Sequence, residues 1–475
     1  MKYANTNANA AAATVRSGRN KAWAGLLLLG TMTLSGVTQA QKAAAPAPAD
    51  DTLTYRGITL YGIVDIGLQY QTHGAPISDF YPGGSTEIVQ KNSNHSIFGV
   101  TPNNMAQSRV GLQGVEPLIG DWTAVFRLEA YFDPQSGQLS DGPKSLAVNN
   151  GRSLATQTSN SDSSVAGEPF EQAYLGVSSK TYGTFTFGRQ NTILADLVAK
   201  YDPNYSSQAF SVIGVSGITA GAGDTQARRF DNSAKYVANF MGMIHVGAQY
   251  KFNQAYGGAN NAYEVDVGGE YAGLSVDAVY SEVHDAVAAA TLSAAQVAGL
   301  PALGYSVQNS LSGTISDNKS LSLAGLYNMG IWKFFAGAEY IQYSNPKNKL
   351  PVGYDDLGYK LAYVNVTAFP HPKQFQVFWA GVRYTVLPQV DLTAAYYGYH
   401  QNSYGSGASA GCTTNLAGTC SGRLDAFSFD ADYRITKRFD AYAGIMYSMV
   451  HDGLANGYLF HTNDMNPTIG IRFKF

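Results

Sequence analysis

Apolar and polar residues alternate along most of the chain in runs of about ten residues. In the run from 57 to 72, Ile66 and Leu68 lie on one face, whereas Asp65 and Gln69 lie on the opposite face. Side chains alternate in this way along a β-strand, because successive residues point to opposite sides. The pattern therefore predicts an all-β chain whose strands each have one apolar and one polar face.

The alternating runs form a regular series. The first and last runs stand alone, and the others come in pairs that are joined by short turns and separated by long polar loops. An even number of antiparallel strands, with short turns at one end and long loops at the other, is typical of a bacterial membrane barrel. The predicted strands are 57–72, 107–116, 122–133, 170–179, 183–191, 229–240, 243–252, 262–272, 274–284, 319–329, 332–343, 374–386, 389–400, 423–435, 438–450 and 466–475.

Composition supports a barrel that faces lipid. Charged residues make up only 14% of the chain, and Tyr is abundant at 32 residues, as expected where strands cross the two membrane interfaces. The backbone of a spanning segment must pair internally, which a closed sheet achieves. We therefore predict a 16-stranded antiparallel transmembrane β-barrel, wide enough to leave an aqueous lumen. A soluble secreted β-protein or adhesin is the alternative from another class.

The amino-terminal residues have the features of an export signal. Basic residues precede a short apolar run, and Thr38-Gln39-Ala40 places small residues at the expected cleavage positions. We predict a signal peptide over 1–40, a flexible Ala/Pro-rich segment over 41–56 and the barrel domain over 57–475. A membrane anchor helix is the alternative for the apolar run, which is short for that role.

Charge and cysteine content restrict the partners further. The net charge is −3, and without residues 1–40 the chain has 27 basic and 34 acidic residues, or −7. This balance argues against a nucleic-acid partner.

Cys412 and Cys420 lie in a Gly/Ser/Thr-rich stretch, where an oxidising compartment favours a local disulfide. They lack neighbouring ligands for a metal, and we predict neither a metal site nor a cofactor.

The connection 192–228 is long, and its first half is apolar, with Ile193, Leu194 and Leu197 among its residues. A loop in contact with the medium does not need such residues, whereas a loop folded against the inner barrel wall does. We therefore predict that it narrows the lumen, and a plain extracellular loop is the alternative. The acidic residues of this segment are Asp196, Asp202 and Asp224.

Most charged residues of the predicted strands lie on the polar faces. Arg109, Arg127, Glu129 and Arg229 alternate with apolar residues and are expected to face the lumen. Arg189 shares its parity with Phe185 and Phe187, so we expect a bulge at Gly188, or the end of the membrane span, to turn it inward. A charge on the lipid face at mid-membrane costs about 2–4 kcal/mol. A structural salt bridge in the wall is the alternative role for each charge.

No catalytic constellation emerges from the sequence. Most of the eight histidines fall in long loops or at strand ends, and His245 alternates with Ile244 and Val246, so it should face the lumen. A barrel enzyme would need a nucleophile, a base and an orienting group at hydrogen-bond distance, and no motif indicates one. We predict that the protein is not an enzyme.

Six short segments are spread over most of the chain. They are L-Y-G-I-V-D at 60–65, S-R-V-G-L-Q-G at 108–114, F-R-L-E at 126–129, Y-G-T-F-T-F-G-R-Q at 182–190, R-F-D-N-S-A-K-Y at 229–236 and G-I-R-F-K-F at 470–475. With these segments the chain resembles the Gram-negative general porins of the β-proteobacterial type.

This resemblance implies a homotrimer of outer-membrane barrels in contact with lipid and lipopolysaccharide, each narrowed by its third loop. It implies that Arg109, Arg189 and Arg229 form the basic side of the constriction, to which alternation adds Arg127. Acidic residues of the third loop would face them, and Glu129 completes the acidic set. Phe475 would be read by the barrel assembly machinery.

The expected function is passive diffusion of small hydrophilic solutes and ions, and the alternative is a substrate-specific channel. The arginines favour anions, whereas the charge of −7 would repel anions at the pore mouths. Charges at the narrowest point act at short range, so we expect a weak anion preference.

Overall fold

The computed structural model describes residues 53–75, 89–139, 142–158, 170–213, 228–252, 260–348, 350–356, 358–413 and 417–475. They belong to the compact unit Thr52–Phe475. The predicted signal peptide at 1–40, most of the 41–56 segment and Asp224 lie outside the described residues. None of the described helices is long and apolar enough to span a membrane.

Sixteen strands among the described residues pair antiparallel with their neighbours and close into a barrel. We number these barrel strands β1 to β16 in chain order. They are Ile58–Gly74, Arg109–Pro117, Trp122–Asp133, Gln172–Ser179, Gly183–Asn191, Arg229–Phe240, Ile244–Lys251, Ala262–Tyr271, Leu274–Ala290, Ser310–Met329, Trp332–Ser344, Lys373–Leu387, Val390–Gln401, Gly422–Arg434, Phe439–Asp452 and Asn463–Lys474.

Strand β16 closes the barrel against β1, as the alternation pattern predicted. Ile469 lies opposite Leu68 in the register, and both are exposed on the outer face. One residue along, Gln69 Nε2 donates to Thr468 Oγ1 at 3.0 Å, and both side chains are buried on the inner face. The apolar face therefore points outward to lipid and the polar face inward.

Three expected boundaries differ most from the structure. Strands β9 and β10 extend beyond the predicted limits of 284 and 319, because a bulge between Val283 and Ala286 lets the pairing continue to Ala290 and Ser312. Before the first barrel strand, Leu53–Tyr55 forms a short strand that pairs with the start of β1. The last part of the 41–56 segment is therefore ordered, since a turn at Gly57, with φ 79°, folds it back.

Further elements lie in the connections. The helices are Gly142–Ala147, Ile193–Tyr201 and Ala294–Leu303, and the remaining short strands are His95–Pro102, Gln138–Leu139, Asp355–Asp356 and Tyr359–Asn365. Strand Tyr359–Asn365 pairs parallel with the start of β10.

Candidate functional site: the narrowed lumen

The helix Ile193–Tyr201 lies inside the barrel. Ile193, Leu194, Leu197, Val198 and Tyr201 are all buried. They belong to one cluster with apolar residues of the inner wall, which include Val279, Ala324, Ile341, Val377, Trp379 and Tyr397. The apolar first half of the 192–228 connection is thus explained, because it covers an apolar patch that would otherwise face the lumen. The predicted inward fold holds for the described part, 192–213.

A barrel carboxylate holds the amino-terminal end of this helix. Thr192 is the N-cap, and its side chain accepts a hydrogen bond from the Ala195 N–H at 3.0 Å. Glu264 on β8 accepts from the Ile193 N–H at 2.6 Å and from the Leu194 N–H at 3.2 Å. Helix N-termini expose unpaired N–H groups and favour negative charge. Glu264 therefore fixes where the loop enters the lumen.

The carboxyl-terminal end of the helix is held by Asp202, which is fully buried. It accepts hydrogen bonds from the Tyr397 hydroxyl at 2.7 Å and from the backbone N–H groups of Asn204 and Ser206 at 3.1 and 2.8 Å. Burial raises the pKa of Asp202 above its ordinary value, although these hydrogen bonds oppose the shift. Asp202 was expected to line the pore; it instead anchors the loop, because its carboxylate points into the wall.

Two further contacts tie this end of the loop to the wall. Trp379 Nε1 donates to the Tyr201 carbonyl at 3.0 Å, and Arg383 donates to the Pro203 carbonyl at 3.0 Å. Both donors lie on β12. The loop is therefore held at both ends of its helix, which gives it one position across the lumen.

A space of about 510 Å³ separates the loop from the opposite wall. The wall side contributes aromatic, amide and charged side chains, and the loop side contributes mainly small or polar ones. Its lining includes Tyr61, Arg109, Gln113, Arg127, Glu129, Tyr131, Gln172, Arg228 and Arg229 of the wall and its edge, and Asn191, Ala195, Ala199, Tyr205, Ser206 and Gln208 of the loop side.

Three of the four predicted basic residues line this space. Arg109 Nε lies 3.6 Å from Glu129, which is buried and also accepts from the Tyr61 hydroxyl and from Gln172, both at 2.9 Å. Glu129 therefore lies on the same wall as the arginines and not across from them, as the expected acidic side would require. Its charge is offset locally by Arg109.

Arg127 and Arg229 have different surroundings. Arg127 donates to the neutral amide of Gln113 at 2.8 Å, and its guanidinium lies over the Tyr61 ring. Arg229 is buried, donates to the Tyr131 hydroxyl and lies 3.4 Å from Glu171. Glu171 lies within the predicted strand 170–179 but was not singled out from the sequence; the observed strand β4 begins one residue later, at Gln172.

Arg189 lies outside the lining of this space. A register shift between Gly188 and Gln190 interrupts the pairing of β5 with β6, and Gly188 has φ 129°. The parity of Arg189 led us to expect either such a bulge or the end of the membrane span, and the structure has the bulge. The side chain then forms ion pairs with Glu171, at 3.4 Å, and with Asp231. Arg189 therefore joins a charge network with Glu171 and Asp231 and is not among the residues that line this space.

Asp196 is the one predicted loop acid that keeps solvent contact among the described residues; its side chain is 50% exposed. It lies 2.5 Å from Lys235 Nζ on β6 and accepts from Asn191 at 3.0 Å. Its charge is therefore compensated by the wall. Outside the lumen, Cys412 and Cys420 form the predicted disulfide.

Comparison with known proteins agrees with this architecture. The sequence profile of the Gram-negative porin family matches residues 24–453. An outer membrane porin protein of Bordetella pertussis is 27% identical over 196 residues, which cover 41% of this chain and 43% of that relative.

Solved structures share the fold. The anion-selective porin from Comamonas acidovorans superposes with a TM-score of 0.57 at 16% identity, covering 88% of this chain and 99% of that porin. OmpT of Vibrio cholerae gives a TM-score of 0.55 at 14% identity, covering 90% of this chain and all of OmpT. The chain belongs to the Gram-negative porin family and is an outer-membrane protein.

Proposed function

We propose that this member of the Gram-negative porin family forms a water-filled channel through which small hydrophilic solutes and ions diffuse passively, with a preference for anions. The carrying observation is the space between the inward-folded loop and a wall that bears Arg109, Arg127 and Arg229. A polar passage through a closed barrel needs no bound cofactor and no catalytic group, and we assign neither.

The charge balance at this space supports anion passage. Arg109, Arg127, Arg228 and Arg229 line it together with a single carboxylate, Glu129, among the described residues. Neither of the two loop acids that the structure describes offsets this balance, because Asp202 is buried in the wall and Asp196 is paired with Lys235. Charges a few ångströms from a passing ion act within the Debye length of about 8 Å, whereas charges at the pore mouths are more strongly screened.

The Comamonas porin, whose barrel this chain resembles, is described as anion-selective. At 16% identity this likeness concerns the fold, and the proposed selectivity of this chain rests on its own arginines.

The proposal also covers export and assembly of the barrel. We expect removal of residues 1–40 on export, insertion by the barrel assembly machinery with Phe475 as its signal, and a homotrimer in contact with lipid and lipopolysaccharide. The exposed apolar side chains of the outer barrel face, such as Val267, Leu321 and Phe429, provide the surface for lipid or neighbouring barrels.

The reversal potential of the channel in a salt gradient tests the selectivity. Neutralising Arg109 and Arg127 together by glutamine should move it toward the cation side, since each charge near the passing ion contributes up to about 1 kcal/mol, or roughly fivefold in permeability ratio. The control is Arg423→Gln, which removes an exposed arginine paired with Asp425 at the start of β14. An unchanged reversal potential in the double variant, or an equal change in the control, would contradict the proposal.

A further inference from the structure

Three metal-ligating side chains meet on the inner wall, toward the end of the barrel that carries the short turns. His245 on β7 lies opposite Gly268 on β8, and Gly268 lies opposite Asp277 on β9. Asp266 precedes Gly268 by two residues and therefore shares its face. The imidazole nitrogen and the two carboxylates each offer a ligand atom, and these atoms all lie within 4.8 Å of one another.

Gly268 allows this approach. It is the residue between His245 and Asp277 in the register, and it has no side chain to separate them. A Cβ built at this position would collide with both the Asp277 carboxylate and His245 Nε2. His245 and Asp277 are consequently in direct contact across the middle strand.

Asp266 supplies the second, independent observation. Its Oδ1 atom is buried and has no hydrogen-bond partner among the described residues. A buried carboxylate oxygen without a donor is costly. A cation at this position would satisfy it.

Asp277 is oriented by the loop helix. Its Oδ2 atom lies 3.2 Å from Lys200 Nζ and accepts from the Tyr201 hydroxyl, whereas Oδ1 faces His245. Lys200 also contacts Glu270 at 2.8 Å. Such outer contacts direct a ligand and tune it, as in known metal sites. These contacts direct the Oδ1 atom of Asp277 toward His245 and Asp266.

We propose that His245, Asp266 and Asp277 bind a divalent late transition-metal ion, represented by Zn²⁺. One imidazole and two carboxylates suit such an ion better than Mg²⁺, which prefers oxygen ligands alone. Zn–ligand bonds are about 2.0–2.2 Å long, so His245 and Asp277, which are in direct contact, must separate for the ion to bind between them. An adjoining space of about 500 Å³, lined by His245, Asp266 and Lys200, leaves room for water at the open coordination positions.

Isothermal titration of the folded, EDTA-treated full-length protein with ZnCl₂ tests the site. One Zn²⁺ per chain is expected, with at least about tenfold weaker binding after His245→Ala or Asp266→Asn, in line with loss of one of three ligands. His284→Ala is the matched control, because His284 lies beside Glu282, at 3.0 Å, in the same wall. This variant should bind like the unmodified protein. No Zn²⁺ binding, binding unaltered by the two ligand variants, or equal affinity for MgCl₂ would overturn the proposal.

Gly268→Ala provides a variant that keeps all three ligands but separates them. It should weaken Zn²⁺ binding while heat-modifiable migration shows a folded barrel, and unaltered binding in this folded variant would also contradict the site. Calorimetry does not depend on conductance, so its result stands even if the proposed channel function fails. In planar bilayers, Zn²⁺ on the short-turn side should move the reversal potential toward anions in the unmodified protein and not in Asp266→Asn.

Discussion

Phe475, the last residue of the sequence, pairs with Gly62 of the first barrel strand through two backbone hydrogen bonds. The Gly62 N–H donates to the Phe475 carbonyl at 2.9 Å, and the Phe475 N–H donates to the Gly62 carbonyl at 3.1 Å. The aromatic ring occupies the space that a Cβ of residue 62 would need. The closing seam of the barrel therefore ends on an aromatic residue that packs over a glycine.

Deletion of Phe475 should reduce the folded yield more than the conductance of the channels that do insert. The deletion removes two ladder hydrogen bonds and the proposed assembly signal, but no group that lines the narrowed lumen. The fraction with heat-modifiable migration and single-channel conductance measure the two effects. Phe429→Ala, which removes an exposed aromatic residue from the outer face of β14, is the control. Equal losses in both variants would argue against a special role for Phe475.

Tyr397→Phe should loosen the inward-folded loop. It removes the 2.7 Å hydrogen bond to buried Asp202 and leaves that carboxylate with one donor fewer, at a cost of about 1–3 kcal/mol. We expect larger current fluctuations and faster proteolysis within the loop. Tyr396→Phe serves as the control, since Tyr396 donates to Asp425 at 2.8 Å, away from the loop. Equal current noise in the two variants would contradict the anchoring role.

The position of the loop should depend on pH through Asp202. Burial raises its pKa above the ordinary 3.8, so the docked loop binds the proton more tightly than a solvated loop does. Docking should weaken as pH rises through the raised pKa and strengthen as pH falls toward the ordinary value. Current noise recorded from about pH 4 upward should therefore rise with pH, and Asp202→Asn should flatten this dependence. The same slope in the variant would assign it to another group.

Asp196→Asn should increase the anion preference. Asp196 is half exposed and neutralises Lys235 at 2.5 Å, so the substitution leaves an uncompensated positive charge beside the loop. This change is opposite in sign to that expected for the arginine substitutions. Asp355 is as exposed as Asp196 and pairs with Lys360 at 2.7 Å in an outer connection, so Asp355→Asn should leave the reversal potential unaltered. A change toward cations in Asp196→Asn would refute the electrostatic assignment.

Replacing Cys412 and Cys420 together by serine should affect the outer connection between β13 and β14 without altering conductance. The disulfide closes a loop with a sequence separation of 8, and such short cross-links contribute about 2–3 kcal/mol to local order. We expect faster proteolysis within 402–421 and the same reversal potential. An altered reversal potential would place this connection in the ion path.

Alternation predicted several strands to the residue, including Trp122–Asp133, Gly183–Asn191 and Arg229–Phe240. It succeeds because one face of each strand meets lipid and the other meets the polar interior. The polarity of a residue therefore indicates which side of the barrel wall it faces. It also indicated either a bulge at Gly188 or the end of the membrane span before Arg189, and the structure has the bulge. It could not predict the extra pairing beyond Val283, because the register shifts between Val283 and Ala286.

The sequence pattern gave less information about charged residues that form ion pairs or lie in loops. Asp196 and Asp202 look equivalent in the sequence, yet one is half exposed and the other is buried among donors from β13 and the loop itself. Glu264 and Glu171 take up key positions at the loop entrance and behind the arginines. Their partners are distant in the sequence, so no local pattern could indicate them.

The sequence by itself determined the strand count, the barrel, the inward fold of an apolar third loop and the disulfide, because these depend on local alternation, hydrophobicity and proximity along the chain. Only the tertiary structure decided which charges face the narrowed lumen, how Asp202 anchors the loop, and that His245, Asp266 and Asp277 meet across Gly268. Those outcomes depend on strand register, which places residues far apart in the chain side by side.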